Sequence, residues 1–188
     1  MPNIDEIKSQ VISCVKCSLS KARTCAVPGK GNPKAELLFI GEAPGRSEDL
    51  QGEPFVGAAG KILSEALSFV GLSRDEVYIT NVVKCRPPNN RVPIQEERDA
   101  CSNYLAWELE TIKPKIICIM GNTAYGSLLG GNSITKNRGK VIEKNGRLYF
   151  LTVHPAAAIY NQELKSVLKN DMKMLVETLA RLKNDDRT

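Results

Sequence analysis

The run Leu37-Leu38-Phe39-Ile40 contains no polar position, and Gly41-Glu42-Ala43-Pro44-Gly45 ends it with two glycines and a proline. A short apolar run bounded by turn residues reads as a buried strand, and the turn behind it carries a carboxylate, Glu42. In open α/β sheets ligands bind beyond the carboxyl ends of the strands, where loops vary while the sheet holds them. Glu48 and Asp49 follow in what reads as the same loop. Pro54-Phe55-Val56-Gly57 then adds one aromatic ring before the helical pattern AAGKILSEALSFV. An ordinary strand-to-helix loop would also fit these residues taken alone, so the rest of the chain has to decide.

The strand-and-helix rhythm repeats downstream. Residues 76–83 are β-branched and read as a second strand ending at Lys84-Cys85-Arg86-Pro87-Pro88. Pro93 can start the helix QEERDACSNYLAWELETI, in which Cys101, Leu105, Leu109 and Ile112 share a face. Residues 115–120 read as a third strand turning into the short helix AYGSLLG. Asn145-Gly146 is a two-residue hairpin signal between residues 141–143 and 147–153, which predicts one added antiparallel strand. Residues 162–182 form a long amphipathic pattern able to cover a sheet. At the front, Ile4, Ile7 and Val11 mark a short helix, and the Pro-, Gly- and Ser-rich stretch through Lys34 reads as irregular loop. No repeat or linker interrupts the 188 residues, a length that suits one domain with a sizeable core.

No segment has the apolar length of a membrane span, and the N-terminus has early acids and no long apolar region, unlike a secretory signal. A protein of the cell interior with no membrane association is expected. Its six cysteines are then better read as metal ligands or reactive thiols than as a disulfide framework. Cys14 and Cys17 form a C-x2-C pair, fifteen residues separate Cys85 from Cys101, and Cys118 sits in the apolar run KIICIM as plain core. A second C-x2-C is absent and there is 1 histidine, which argues against a zinc ribbon or a Cys2His2 site. Two close and two distant thiolates suit either structural zinc or an iron-sulfur cluster. The net charge of +5 suggests a polyanionic partner. Basic residues gather at Lys84, Arg86 and Arg91, at Lys136, Arg138 and Lys140, and at Lys165, Lys169 and Lys173, a pattern that allows a basic surface around an acidic pocket.

Taken together, GEAPGRSEDLQGEPFVGAAG, TNVVKCRPPNN and VHPAA, with cysteines at 14, 17, 85 and 101, resemble the family 4 uracil-DNA glycosylases, from Cys14 to about Asn161. The resemblance implies a single α/β domain with a three-layer α/β/α fold, a central four-stranded, mainly parallel sheet and an N-terminal cluster-binding segment. It implies a [4Fe-4S] cluster held by Cys14, Cys17, Cys85 and Cys101. It also implies a prokaryotic, cytoplasmic repair enzyme, monomeric, that takes uracil from single- or double-stranded DNA and releases it free. Carried over by position, uracil contacts fall on the backbone of Gly41, Glu42 and Ala43, the ring of Phe55, the amide of Asn81 and the imidazole of His154, with Glu48 near the C5 edge of the base. DNA contacts fall on Arg86, Pro155, Ala156 and Tyr160. Many members carry an arginine six residues after the motif histidine, where this chain has Tyr160. The basic insertion of the related branch that bonds covalently to DNA is missing.

The chemistry asks for these residue types. A glycosylase extrudes the nucleotide, so a ring such as Phe55 replaces the lost stacking partner, and base identity must be read by hydrogen bonds. The amide of Asn81 offers an acceptor and a donor that match N3–H and O4 of uracil, whereas cytosine presents the reverse. Bond cleavage leaves negative charge on O2, which a donor on His154 would stabilise. Related families place an acid or amide at the position of Ala43. An acid acting on the sugar or water must therefore come from elsewhere, Glu42 first and Asp49 second. The competing readings are a non-catalytic nucleic-acid-binding module stapled by zinc or iron-sulfur, and an electron carrier.

Overall fold

The computed structural model describes residues 1–185. One six-stranded sheet runs through it: β1 (Lys30–Gly31), β2 (Leu37–Gly41), β3 (Tyr78–Asn81), β4 (Ile116–Met120), β5 (Val141–Lys144) and β6 (Arg147–Thr152), in the order β1-β3-β2-β4-β6-β5. The four inner strands are parallel and the two edge strands antiparallel, β5 through the expected Asn145-Gly146 turn. This is the predicted four-stranded parallel sheet with its added hairpin strand, plus a two-residue edge at β1.

The inner strands are apolar throughout because both faces are covered. Alternate residues serve different layers. Leu38, Ile40, Ile117 and Ile119 face one core with α1 (Ile4–Ile12) and α5 (Gln95–Ile112). Leu37, Phe39, Ile116 and Cys118 face the other with α4 (Ala58–Phe69) and α8 (Gln162–Asp185). Among the described residues no helix is long and apolar enough to cross a membrane.

Several local expectations need correction. The stretch through Lys34 contains a helical turn, α2 (Leu19–Ala22), as well as β1. β3 is shorter than residues 76–83, because Val82 and Val83 bend away while still donating to the carbonyls of Gly41 and Glu42. The acidic loop after β2 is largely a helix, α3 (Arg46–Gln51), in which the Glu48 carboxylate accepts from the N–H of Gly45 and closes the first turn. Short helices α6 (Asn122–Leu129) and α7 (Ile134–Asn137) follow β4. Pro93 lies one residue outside the Ile94 cap of α5.

Lys84, expected on a basic surface, is 1% exposed and ion-paired at 2.6 Å with Glu108 of α5, which is 0% exposed. The ammonium also donates to Thr80 Oγ1 and to the carbonyl of Asn81, so its three protons are all used. Glu108 accepts in addition from Gly29 N–H and from the hydroxyls of Thr80 and Tyr78. Arg138 is likewise turned inward, onto Asp171 of α8. Removing one member of a buried pair strands the other charge, at about 3–5 kcal/mol. Glu108→Gln should therefore depress the thermal unfolding midpoint strongly, and Lys84→Met/Glu108→Gln, with no charge left to strand, should recover a large part of the loss. Equal losses in the two variants would show that the stranded charge is not the cause.

Candidate functional site

A cleft of about 680 Å³ opens at the carboxyl ends of the parallel strands. The chain leaves β2 to β3 on one side and reaches β4 on the other, so the cleft lies at the topological switch point of the sheet. Each inner strand supplies it with a residue: Glu42 after β2, Asn81 at the end of β3, Thr123 after β4 and His154 after β6. Phe55, from the connection between α3 and α4, forms part of the wall, its ring centroid 5.7 Å from that of His154.

Two polar atoms there have no partner. Asn81 is 2% exposed, and its Oδ1 is buried without a hydrogen bond, as is His154 Nε2. Nδ1 of His154 accepts from Ala156 N–H at 3.1 Å, so the neutral ring carries its proton on Nε2. A free acceptor and a free donor thus stand beside one aromatic ring. Burial pulls the His154 pKa down to about 4, against a smaller opposing pull from Glu48. Gly41 is what lets these groups approach: a Cβ there would lie 2.5 Å from both Asn81 Oδ1 and the Phe55 ring.

The acids behave differently from one another. Glu42 lines the cleft and accepts from the Thr123 hydroxyl. Glu48 borders the cleft, but its carboxylate is engaged by the N–H groups of Gly45, Val56 and Gly57, at 3.1, 2.9 and 2.8 Å, and so joins the two ends of the loop. Asp49, expected as a second catalytic acid, does not line the cleft. It is buried instead against the segment before β1, where its carboxylate accepts from Thr24 N–H.

Ala43 and Ala156 line the cleft; Pro155 is buried and does not line it, and Tyr160 projects from the same loop 99% exposed. Arg86 lies outside, its guanidinium bonded to Asn90. Arg91 borders the cleft yet is held by both oxygens of Glu97, which raise its pKa. Sequence reasoning missed Arg46, exposed at the cleft edge, and Thr123. Thr123 was detectable from its place after a strand end, as Glu42 was; Arg46 carries no such signal.

Cys14, Cys17, Cys85 and Cys101 line one small pocket beneath the β3 end. Arg23 donates to Cys85 Sγ at 3.0 Å and the Lys84 N–H to Cys101 Sγ at 3.3 Å. Burial pushes the Cys101 thiol up to about 11 and raises Cys85, with Lys84 and Arg23 opposing. Cys25 lies apart, its N–H on Asp49 O, and Cys118 is in the core. Among the described residues no three or more His, Cys, Asp or Glu side chains form a group that could hold a metal ion.

A ring, an unpaired acceptor and an unpaired donor, gathered in one cleft of a three-layer α/β/α sheet, have the chemistry to receive a flat polar heterocycle. The chain belongs to the uracil DNA glycosylase superfamily, whose family model matches residues 28–183. Within it the chain is 51% identical over 187 residues to the type-4 uracil-DNA glycosylase of Sulfurisphaera tokodaii, covering 94% of this chain and 85% of that one. It is 47% identical over 186 residues to the type-4 enzyme of Archaeoglobus fulgidus, covering 94% of each. A type-5 uracil-DNA glycosylase of Pyrobaculum aerophilum is 32% identical over 172 residues, with 82% of this chain and 72% of that one covered.

The histidine geometry makes a pH prediction. Unfolded, His154 binds its proton near 6.5; folded, near 4. Between those values the unfolded chain holds the extra proton, so this stabilising contribution is complete above about pH 6.5 and is lost as pH falls toward 4. With 1 histidine in the chain, its imidazole NMR resonance is unambiguous. It should stay in the neutral Nε2–H form from pH 8 down to about 5 and titrate near 4; a midpoint near 6.5 would place the ring in water.

Proposed function

We propose that the protein excises uracil from DNA, single- or double-stranded, releasing free uracil and leaving an abasic site. The observation that carries this reading is the pair of unpartnered buried atoms, Asn81 Oδ1 and His154 Nε2, beside the ring of Phe55. Extruding the nucleotide costs a few kcal/mol, roughly, and stacking on Phe55 returns about 1–3 kcal/mol. Asn81 Oδ1 accepts from N3–H and its amide nitrogen donates to O4. The backbone at Gly41, Glu42 and Ala43 completes the binding edge, and Glu48 acts by shaping the loop that borders the base. As the C1′–N1 bond breaks, its electron pair passes to uracil, and His154 Nε2–H donates to the charge growing on O2. Water adds to C1′ and gives up a proton by way of Glu42, which becomes available to the departing uracil anion. A neutral imidazole suits this role: the depressed pKa keeps the ring uncharged at physiological pH, and the Ala156 N–H on Nδ1 leaves the ring proton on Nε2.

DNA would lie across the mouth of the cleft, against Arg46, Arg86 and the loop from Pro155 to Tyr160. The exposed Tyr160 ring would stack or wedge where many relatives carry a charge, and phosphate contacts would make binding fall as salt rises. We read residues 1–188 as one domain whose N-terminal segment supplies cluster ligands, working as a monomer in a prokaryotic cytoplasm. Cys14, Cys17, Cys85 and Cys101 would hold a [4Fe-4S] cluster. Four thiols around one pocket, two with N–H donors on sulfur, are a donor set that fits that group, since each would serve a separate iron of the cluster and not one shared ion. When bound, the cluster would cross-link the N-terminal segment, the loop after β3 and α5.

Two measurements test the assignment. Asn81→Asp places an acceptor against O4, which uracil cannot satisfy but the cytosine amino group can. The ratio of uracil to cytosine excision on otherwise identical strands should fall, by the equivalent of roughly 1–3 kcal/mol. An unchanged ratio would remove Asn81 from base reading. For the cluster, Cys85→Ser should bleach the brown colour and Cys25→Ser should not, with iron content following the colour; the opposite pattern would reassign the ligands.

A further inference from the structure

Phe55 borders two spaces. One is the cleft at the strand ends; the other is a second, open cleft of about 660 Å³, lined by Phe55, Gly60, Lys61 and Arg74 among others. The Phe55 side chain is buried in the core on the α4 side of the sheet, and the backbone that carries it has to be held in place. Its backbone gives no help by preference, since Phe55 stands at φ +54, a left-handed conformation that a bulky residue adopts only when its surroundings impose it.

Two contacts impose it. α4 comes so close that a Cβ on Gly60 would lie 1.8 Å from the Phe55 carbonyl oxygen. On the far side, Arg74 reaches in from the loop after α4, donating Nη1 to the Phe55 carbonyl at 3.0 Å and Nη2 to the Pro54 carbonyl at 2.8 Å. A guanidinium presents its N–H groups in a rigid fork, so two successive carbonyls bound to it are fixed in relative orientation; an ammonium cannot do this. Burial lowers the Arg74 pKa, while Glu53, Asp75 and Glu48 oppose the shift.

We propose that Arg74 is a positioning residue for base recognition: by holding the carbonyls of Pro54 and Phe55 in one fork, it sets the angle at which the Phe55 ring meets an extruded base. The inference rests on the reading of Phe55 as the stacking surface. Arg74 itself touches neither base nor sugar and acts only through the ring.

A double-mutant cycle isolates that dependence. Single-turnover uracil release is compared for wild type, Arg74→Met, Phe55→Ala and the double variant, with circular dichroism to confirm folding. Arg74→Met should lower the rate at subsaturating enzyme about tenfold, the scale of one base-aromatic stacking contact. In the Phe55→Ala background the same change should add little. Equal losses in both backgrounds would mean a general structural effect and overturn the proposal. Phe55→Ala slow with Arg74→Met at full rate would overturn the tether alone, whereas a silent Phe55→Ala would overturn the stacking reading and the tether with it. Should Arg74→Met fold poorly, Arg74→Lys keeps the charge and the stem and loses only the fork. It should be slow with Phe55 present and neutral without it. Because the second cleft is open, millimolar guanidinium should restore rate to Arg74→Ala, and sodium chloride at equal ionic strength should not; no difference between the two salts would count against the fork.

Discussion

A lysine and a glutamate, both shut away from water, meet beneath the carboxyl end of β3, and the arrangement around them depends on that meeting. Removing two ions from water costs several kcal/mol each, roughly, and their attraction compensates only if every remaining donor and acceptor is satisfied. Here the three protons of Lys84 go to Thr80, Asn81 and Glu108, and Glu108 gathers a backbone N–H and two hydroxyls besides. The network joins α5 to β3. Through the Lys84 N–H on Cys101 Sγ it touches the cysteine pocket, and through the Asn81 carbonyl it touches the residue at the base of the cleft. Two sites that share no side chain are thereby built on one buried ion pair.

Costly features gather on the other side of the same strand end. Phe55 in a left-handed conformation and two orphaned polar atoms are each unfavourable in isolation, and all three lie within one cleft. In much of the rest the local rules agree with the fold: alternating strand residues feed two cores, and α1 begins on a reciprocal Asn3-Glu6 cap. Three such features gathered around one cleft mark where stability has been exchanged for binding.

The fold was legible wherever periodicity carried it. Gln95–Ile112 is a helix from the first predicted residue to the last, and the Asn145-Gly146 hairpin stands where its turn chemistry puts it. What could not be read was which charges turn inward. Glu48 and Asp49 look alike in sequence, yet once α3 forms they point to different neighbours, one closing the loop that borders the cleft and the other holding Thr24. Lys84 and Arg138 look like surface charges until partners more than twenty residues away, Glu108 and Asp171, are folded against them. Arg74 had no signal at all, because its meaning comes from two carbonyls nineteen and twenty residues earlier.

The order in which the chain is made gives α8 a further significance. Phe39, Ile116, Cys118 and Phe150 face the core that α8 helps to close, and all four precede it. At roughly 5–20 residues per second of synthesis, several seconds separate the emergence of β4 from that of the far end of α8. Through that interval a nascent parallel sheet presents one incompletely covered apolar face to the crowded space outside the ribosome. The face closes only when the helix arrives, so aggregation during biosynthesis would be governed by how soon Leu168, Met172 and Leu175 reach it.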